Sequence, residues 1–309
     1  MSTVPLVRPA RLRGGDRVVI VAPSGPIPRE RLDAGVDILR AWDLDVEVGE
    51  HVLDTHSSGY LAGGDADRAR DLQRAWLDPG VAAVICARGG YGAQRMVDLL
   101  DWDAMRAAGP KVFVGFSDVT ALHEAFAVRL GLATLHGPMA AGVAFVKDGP
   151  TQEHLRRTLF EPENARVLTS PAAAPLVPGT AHGVTAGGCL SLIAAEAGTP
   201  HARRSLRGAI WVIEDVAEEA YRLDRCLTQL LRSGLLDGVA AVALGSWQDC
   251  SPEDEVRRLM LDRLGPLGVP VLWELGFGHC PSHITVPLGV PALLDAGNGT
   301  LTLDVPALL

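Results

Sequence analysis

The sequence KVFVGFSDVT, residues Lys111–Thr120, predicts a buried strand that runs directly into a helix. The first half of this stretch is an apolar run rich in Val and Phe, which is typical of a strand inside a sheet. From Asp118 to Leu130, apolar residues recur at helical spacing. Ser117 is therefore predicted to lie at the turn between the two elements, at the carboxyl edge of the sheet.

Ser117 at this turn has two interpretations. A serine on a sharp strand-to-helix turn exposes its hydroxyl as a nucleophile, and the N–H of the next residue, Asp118, can stabilise an oxyanion. The usual pattern for such a turn is G-x-S-x-G, and Val119 replaces its last glycine. A serine at a helix start is also a common N-cap. The residues alone leave both roles open.

The segments before this turn alternate between strands and helices. Apolar strands are predicted at Arg17–Ala22 and Val81–Ala87, and helices at Arg29–Trp42 and from Asp65 to about Trp76. Strands that alternate with helices predict an α/β fold with a parallel sheet covered on both faces.

A change of composition at residues 161–181 divides the chain. This segment holds four prolines and shows little periodicity, so we predict a linker there. It separates an N-terminal α/β domain, residues 1–160, from a C-terminal domain, residues 182–309. Strands and helices do not alternate strictly in the second domain, which indicates an α+β arrangement.

Charge and cysteine content exclude several classes of protein. The net charge of the 309-residue chain is −9 and no basic block occurs, so nucleic acid is not an expected partner. The five cysteines form no C-x-x-C pair, which favours reduced thiols in a cytosolic protein. We expect neither a signal peptide, because Met1–Asp16 has no apolar core, nor a membrane span.

A glycine-rich turn, Arg88–Gly92 (RGGYG), directly follows the strand at Val81–Ala87. A dinucleotide site would need a third small residue at position 95, which is Arg95. Two interpretations remain. The stretch is either a tight structural turn or a pocket in which glycine N–H groups, with Arg88 nearby, receive a carboxylate or an oxyanion.

Glu214 and His279 are the candidate partners of Ser117. Glu214 ends an apolar strand, and His279 lies in the loop GFGHCP. A serine hydroxyl needs a base, and that base needs an acceptor that orients it. His283 gives an H-x-x-x-H spacing with His279, but Pro281 between them argues against a metal site on one helical face. No metal is therefore predicted.

These motifs, taken in order, resemble the L,D-carboxypeptidase family of serine peptidases, which includes muropeptide L,D-carboxypeptidases and microcin C immunity peptidases. The resemblance covers nearly the whole chain. The stretches that carry it are VAPSG at 21–25, GYLAGGD at 59–65, ARGGYG at 87–92, GFSDVTAL at 115–122, IED at 213–215, YRLDR at 221–225, and Gly278–His279 with VPLG at 286–289.

The resemblance implies a fold, a site and a cellular setting. Its N-terminal domain would be glutamine-amidotransferase-like and its smaller C-terminal domain barrel-like. Ser117 would be the nucleophile, Glu214 the orienting acid and His279 the base. The N–H groups of Gly90 and Asp118 would form the oxyanion hole. The family is cofactor-free, cytoplasmic and commonly homodimeric.

The implied reaction is release of a C-terminal D-amino acid from an L,D-linked murein peptide during peptidoglycan recycling. An exopeptidase must recognise a free carboxylate, and Arg88 beside Gly89 is a suitable cation because a guanidinium can pair with a carboxylate through two bonds. Two alternatives stay open: cleavage of aminoacyl- or peptidyl-nucleotide antibiotics of the microcin C type, or a ligand-binding relative without catalysis.

Cys189 departs from the family pattern. The stretch GGCL stands where the family usually shows G-G-N-L, and a thiol hydrogen-bonds only weakly compared with an amide. We predict Cys189 to be a substrate-binding position with altered specificity. Its rival role as nucleophile is less favoured, because no neighbouring His or Arg in the sequence would lower the pKa of its thiol.

Overall fold

The computed structural model describes residues 3–309, which form two β-sheets. The strands are β1 (Arg17–Val21), β2 (Asp45–Val48), β3 (Val81–Cys86), β4 (Val112–Gly115), β5 (Thr134–His136), β6 (Val167–Leu168), β7 (Ala174–Val177), β8 (Thr180–Cys189), β9 (Ala209–Val216), β10 (Ala241–Gln248), β11 (Val271–Trp273), β12 (Val286–Leu288), β13 (Pro291–Asp295) and β14 (Thr300–Leu303).

Helices cover both sheets. The α-helices are α1 (Arg29–Ala41), α2 (Asp65–Leu77), α3 (Ala93–Met96), α4 (Trp102–Ala108), α5 (Thr120–Ala125), α6 (Val143–Lys147), α7 (Gly149–Phe160), α8 (Leu190–Glu196), α9 (Ala220–Arg232) and α10 (Glu253–Leu264). Across the described residues, no helix is both long and apolar enough to cross a membrane.

The first sheet has six strands in the order β12-β5-β4-β3-β1-β2. Strands β1 to β5 run parallel, whereas β12 joins the edge antiparallel to β5. Each parallel strand is a short apolar run because helices cover both faces. One face packs around Trp76, Phe113 and Phe126, and the other around residues such as Ile20 and Phe145.

The second sheet has eight strands in the order β6-β14-β13-β8-β9-β10-β11-β7. Its centre, β8 to β11, is parallel and its edges are antiparallel. Helix α9 buries Leu223, Leu227 and Leu230, which lie on one face at helical spacing, against this sheet. A parallel α/β N-terminal part followed by a mixed-sheet part confirms the predicted fold class.

Residues 161–181 are not an unstructured connection. They contain β6 and β7, which form the two edges of the second sheet. Pro175 is compatible with β7 because an edge strand pairs on one side only. The other three prolines of this segment lie outside β6 and β7, in the turns and connections around them. The predicted domain limits stay a prediction, and the first two residues of domain 1–160 lie outside the described part.

Two helical stretches of the N-terminal half are interrupted. The predicted helix from Asp118 to Leu130 consists of a 3₁₀ turn at Ser117–Val119, helix α5 and a π-helical turn at Phe126–Leu130. The helical stretch that follows β5 is likewise divided, into α6 and α7. The break occurs at Asp148, whose carboxylate accepts a hydrogen bond from Thr151 N at 3.0 Å and so caps α7.

Candidate active site

Ser117 lies on a strained turn directly after β4. Its φ is 63°, in the left-handed region that a non-glycine residue enters only at a cost. Gly115 makes the turn possible, because a Cβ there would come within 2.7 Å of Val119. The helical segment starts at Ser117 itself and Phe116 occupies the N-cap position. Ser117 is therefore not the N-cap, and its half-buried hydroxyl projects from the turn.

The glycine-rich turn lies against this serine. A Cβ added to Gly89 would be 2.9 Å from Ser117 Cβ and 3.4 Å from Asp118 N. Gly90 has a φ of 111°, which favours glycine. Asp118 is the second residue of its 3₁₀ turn, so its N–H lies before the first intrahelical hydrogen bond and is available to an acceptor outside the turn. Two segments that the sequence separates by about thirty residues thus meet at the predicted oxyanion hole.

The carboxylate of Asp118 joins the loops around the serine. It accepts hydrogen bonds from Ser24 Oγ at 2.6 Å and from Ala93 N at 2.9 Å. Burial raises the pKa of Asp118, and these hydrogen bonds offset the rise in part. Nearby, the buried Arg68 donates to the carbonyl of Gly92 at 2.9 Å. The turn that contains Gly89 and Gly90 is therefore held from two sides.

Glu214 and His279 form a close pair. Glu214 is fully buried near the end of β9, and its Oε2 accepts from His279 Nδ1 at 2.7 Å and from the His279 backbone N–H at 3.3 Å. Gly278, with φ 96°, allows the loop to lie this close to Glu214, because a Cβ at Gly278 would collide with the Glu214 carboxyl group. The proton on Nδ1 leaves the Nε2 lone pair free to act as a base.

The fold lowers the pKa of Glu214 and raises the pKa of His279. Burial alone would raise the pKa of Glu214, but the hydrogen bond from His279 and the close contacts of His136 and His279 outweigh it and lower the pKa to about 2. Burial alone would lower the pKa of His279, yet the hydrogen bond and charge of Glu214 raise it overall. An ionised acid beside an imidazole is the arrangement that stabilises an imidazolium.

Phe116 connects the serine turn to this pair. Its ring lies 4.8 Å from the His279 ring, centroid to centroid. Among residues 3–309, no hydrogen bond joins Ser117 Oγ to His279. Phe116 and His279 share an open pocket of about 650 Å³, which also touches Val143, Asp148 and Gln248. That volume is within the range of about 300–1,000 Å³ typical of small-ligand sites.

Arg88 and Cys189 occupy different environments. Arg88 is exposed and donates to the carbonyl of Pro26 at 2.8 Å. Cys189 is buried, and its Sγ lies 3.3 Å from Asp215 Oδ1. Burial and the charges of Glu214 and Asp215 raise the pKa of the Cys189 thiol. A protonated, buried thiol is a poor nucleophile. The substrate-binding roles of both residues stay predictions.

Sequence reasoning gave no role to His136, which lies beside the pair. His136 ends β5, is fully buried, and brings its Nε2 to 3.7 Å from Glu214 Oε1. A histidine at a strand end carries no local signal for such a contact. His123, in contrast, bonds the Gly115 carbonyl and Thr134, as expected of a structural histidine. Among the described residues, no group of three or more potential ligands could hold a metal ion.

Comparisons with known families match both halves of the chain. The profile of the LD-carboxypeptidase N-terminal domain matches residues 18–137, and that of the LD-carboxypeptidase C-terminal domain matches residues 182–294. A Streptomyces coelicolor protein named "Putative carboxypeptidase" is 68% identical over 98% of each chain. The murein tetrapeptide carboxypeptidase of Pseudomonas aeruginosa is 35% identical over 91% of this chain and 94% of its own.

Solved structures show the same fold. A muramoyltetrapeptide carboxypeptidase from Oxalobacter formigenes superposes with a TM-score of 0.80 and 29% identity, covering 94% of this chain and 99% of its own. MccF in complex with glutamyl sulfamoyl guanosine superposes with a TM-score of 0.86 and 22% identity, covering 98% of this chain and 99% of its own. At that identity, the second likeness concerns the fold alone.

Proposed function

The chain belongs to the LD-carboxypeptidase family, and from this premise we propose that it is a serine carboxypeptidase that releases a C-terminal D-amino acid from L,D-linked murein peptides. One observation carries the proposal. Ser117 lies on a strained turn next to Phe116, whose ring packs on His279, and His279 is hydrogen-bonded to the buried Glu214. This arrangement supplies a nucleophile, a base and an orienting acid.

The proposed reaction is acyl transfer through the serine. His279 Nε2 takes the proton of Ser117 Oγ while that oxygen bonds to the carbonyl carbon of the scissile amide. The N–H groups of Gly90 and Asp118 receive the oxyanion. The imidazolium, stabilised by Glu214, then gives its proton to the departing amine, and the D-residue leaves. Water, deprotonated by His279, hydrolyses the acyl-serine and restores the enzyme.

The substrate class rests on the relatives and on one cation. The relative from Pseudomonas aeruginosa is named a murein tetrapeptide carboxypeptidase. The exposed guanidinium of Arg88 is next to Gly89, which packs on Ser117. It can pair with the free carboxylate of a C-terminal residue. Cleavage of an aminoacyl-nucleotide remains the competing hypothesis. Homodimerisation and a cytoplasmic location stay predictions from the family.

Mass spectrometry of three substrates tests the proposal. Purified protein is given a murein tetrapeptide ending in D-Ala, its counterpart with an L-residue at that end, and an acyl-sulfamoyl adenylate. We expect release of D-Ala from the first alone. The Ser117→Ala variant should lose turnover by roughly 10⁴-fold or more. Cleavage of the adenylate alone would replace the proposal by the nucleotide hypothesis. Binding without cleavage would favour a non-catalytic relative.

A further inference from the structure

The buried carboxylate of Glu214 has two oxygens with different surroundings. Oε2 accepts both hydrogen bonds from His279. Oε1 is buried and has no hydrogen-bond partner in the part of the chain that the structure describes. It faces Nε2 of His136 at 3.7 Å, and both side chains are fully buried. The distance between Nε2 and Oε1 is longer than that of a formed hydrogen bond, but it is short enough for a direct charge contact.

The ring of His136 is fixed by packing rather than by other polar contacts. Its residue pairs with Gly115 on β4 and with Val286 on β12. The ring lies 5.6 Å from that of Phe116 and 5.5 Å from that of Phe277. Both of its nitrogens are buried without a hydrogen-bond partner in residues 3–309. A buried donor without an acceptor is costly, and the Glu214 carboxylate is the acceptor within reach.

We propose that His136 is a positioning residue: its Nε2–H donates to Glu214 Oε1 and holds the carboxylate so that Oε2 stays on Nδ1 of His279. The inference rests on the proposed function, in which His279 is the base. Two donors on opposite oxygens restrict rotation of the carboxylate. Catalytic hydrogen bonds that are long without substrate commonly shorten in the reacting complex.

Other ionisable groups around Glu214 do not replace this donor. They come from β8, β9, the turn after β10 and the loop before β12, and they are Cys189, Asp215, Cys250, Cys280 and His283. Burial raises the pKa of each of these thiols, so the thiols stay protonated and neutral. Burial lowers the pKa of His283 well below its ordinary value and keeps that ring neutral.

Asp215 carries the same charge as Glu214. Burial and the charge of Glu214 raise its pKa to about 6. His136 is thus the donor at Oε1. It contributes, together with His279, to the low pKa of Glu214.

Three substitutions of His136 separate a hydrogen-bonding role from mere filling of space. Phe keeps the ring shape and removes both nitrogens. Gln places an amide N–H where Nε2 was, whereas Asn places it where Nδ1 was. His136→Phe and His136→Asn should lower kcat about 10- to 100-fold with KM within about threefold of wild type. His136→Gln should restore kcat to within about tenfold of wild type.

The acidic limb of the kcat/KM profile gives a second readout. Without the donor at Oε1, the Glu214–His279 pair holds its proton more tightly, so His279 becomes a base only at higher pH. We expect the midpoint to rise by about half a unit or more in His136→Phe and His136→Asn. His136→Gln should keep the wild-type midpoint. His283→Phe is the matched control, because His283 is equally buried and makes no hydrogen bond to Glu214 among the described residues.

The inference and the proposed function can fail separately. Titration of the His279 imidazole by NMR, assigned with a His279→Gln variant, needs no substrate. A His279 pKa that is unchanged in His136→Phe and His136→Asn would overturn the role of His136, even if D-Ala is released. The role of His136 would be supported if the His279 pKa shifts in His136→Phe and His136→Asn but not in His136→Gln or His283→Phe, even if no peptide is cleaved. An equal shift in His283→Phe would show a general loss of packing and would also overturn it.

Discussion

Ser117 adopts a backbone conformation that only glycine tolerates without strain. Its φ of 63° places it in the left-handed region, where a side chain costs about 1–2 kcal/mol. Strain of this kind persists at functional sites because the surrounding structure enforces it. Here the enforcing contacts are those of Gly89, which packs on Ser117, and of Val119, whose side chain fills the space beside Gly115.

Replacing Ser117 by Gly should therefore yield a more stable but inactive protein. Relief of about 1–2 kcal/mol of strain exceeds the extra chain entropy of glycine, about 0.5–1 kcal/mol. Ser117→Gly should unfold at a higher denaturant concentration than Ser117→Ala, and both should lack peptidase activity. Chemical denaturation with circular dichroism measures this difference. A glycine variant less stable than the alanine variant would contradict a strained turn.

The Glu214–His279 pair should make stability depend on pH in a defined window. The pKa of Glu214 is lowered in the fold, from 4.5 to about 2, so its contribution is present above 4.5 and is lost as the pH falls toward 2. The pKa of His279 is raised above 6.5, so its contribution is complete below 6.5 and is lost as the pH rises through the folded value. Both contributions are complete only between these two ordinary values.

Comparison with Glu214→Gln tests this window. The free energy of unfolding of the wild type, minus that of the variant, should be greatest between about pH 4.5 and 6.5 and smaller on either side. Urea denaturation at a series of pH values measures the difference. Arg157→Gln, a change in an exposed ion pair on α7, should give no maximum there. A difference that is flat with pH would show that the two groups do not titrate as a pair.

The element that carries His279 is the loop between β11 and β12. It leaves the second sheet at Trp273 and enters the first sheet at Val286. Asp148, the cap of α7, holds this loop, because its Oδ2 accepts from Ser282 N at 3.0 Å as well as from Thr151 N. One carboxylate thus fixes a helix start and the loop of the candidate base.

Asp148→Ala should affect stability and activity together. Loss of the helix cap costs about 0.5–2 kcal/mol, and loosening of the loop should lower kcat/KM by about tenfold or more because His279 is less precisely held. Asp148→Asn keeps an acceptor and should retain most of both. Thermal unfolding and steady-state kinetics measure the two effects.

Asp101 offers a matched control for this change. It caps α4 through Ala104 N at 3.0 Å and makes no hydrogen bond to the loop of His279 among the described residues. Asp101→Ala should lose comparable stability and keep kcat/KM. An equal loss of activity in Asp101→Ala would mean that Asp148 acts through general destabilisation.

At the scale of the whole molecule, a strand from the second half of the chain joins the first sheet, and the two sheets share a core. Strand β12 comes from the second half of the chain but pairs with β5 of the first sheet. One buried cluster includes Ile20 and Val114 of the first sheet together with Val212 and Leu272 of the second. A continuous core predicts that both halves unfold in one cooperative transition.

Leu288→Ala in β12 tests this cooperativity. Leu288 is 2% exposed, and its truncation should cost about 2–5 kcal/mol. Hydrogen exchange should show the same loss of protection in β4 and in β9, which lie in different sheets. Leu261→Ala is the control, since Leu261 is 46% exposed on α10 and its truncation should change stability by less than about 0.5 kcal/mol. Lost protection in one sheet alone would show that the halves are independent.

The sequence by itself determined several strands and helices of the N-terminal half and the turn at Ser117. Apolar runs and helical spacing are local properties, so β1, β3, β4 and α1 are predicted to within a residue or two. The turn at Ser117 follows from a strand pattern that meets a helical pattern. The prolines of segment 161–181 predict a linker and give no sign of the short edge strands β6 and β7 that the segment contains.

Only the tertiary structure decided which distant residues meet. His136 contacts Glu214 because β5 and β9, which belong to different sheets, pack together. Phe116 contacts His279 because the loop before β12 crosses from the second sheet to the first. No local pattern encodes such contacts, because they arise from the burial of apolar surface across the whole chain. Proximity of Ser117 to Gly89 likewise arises from the pairing of β3 with β4.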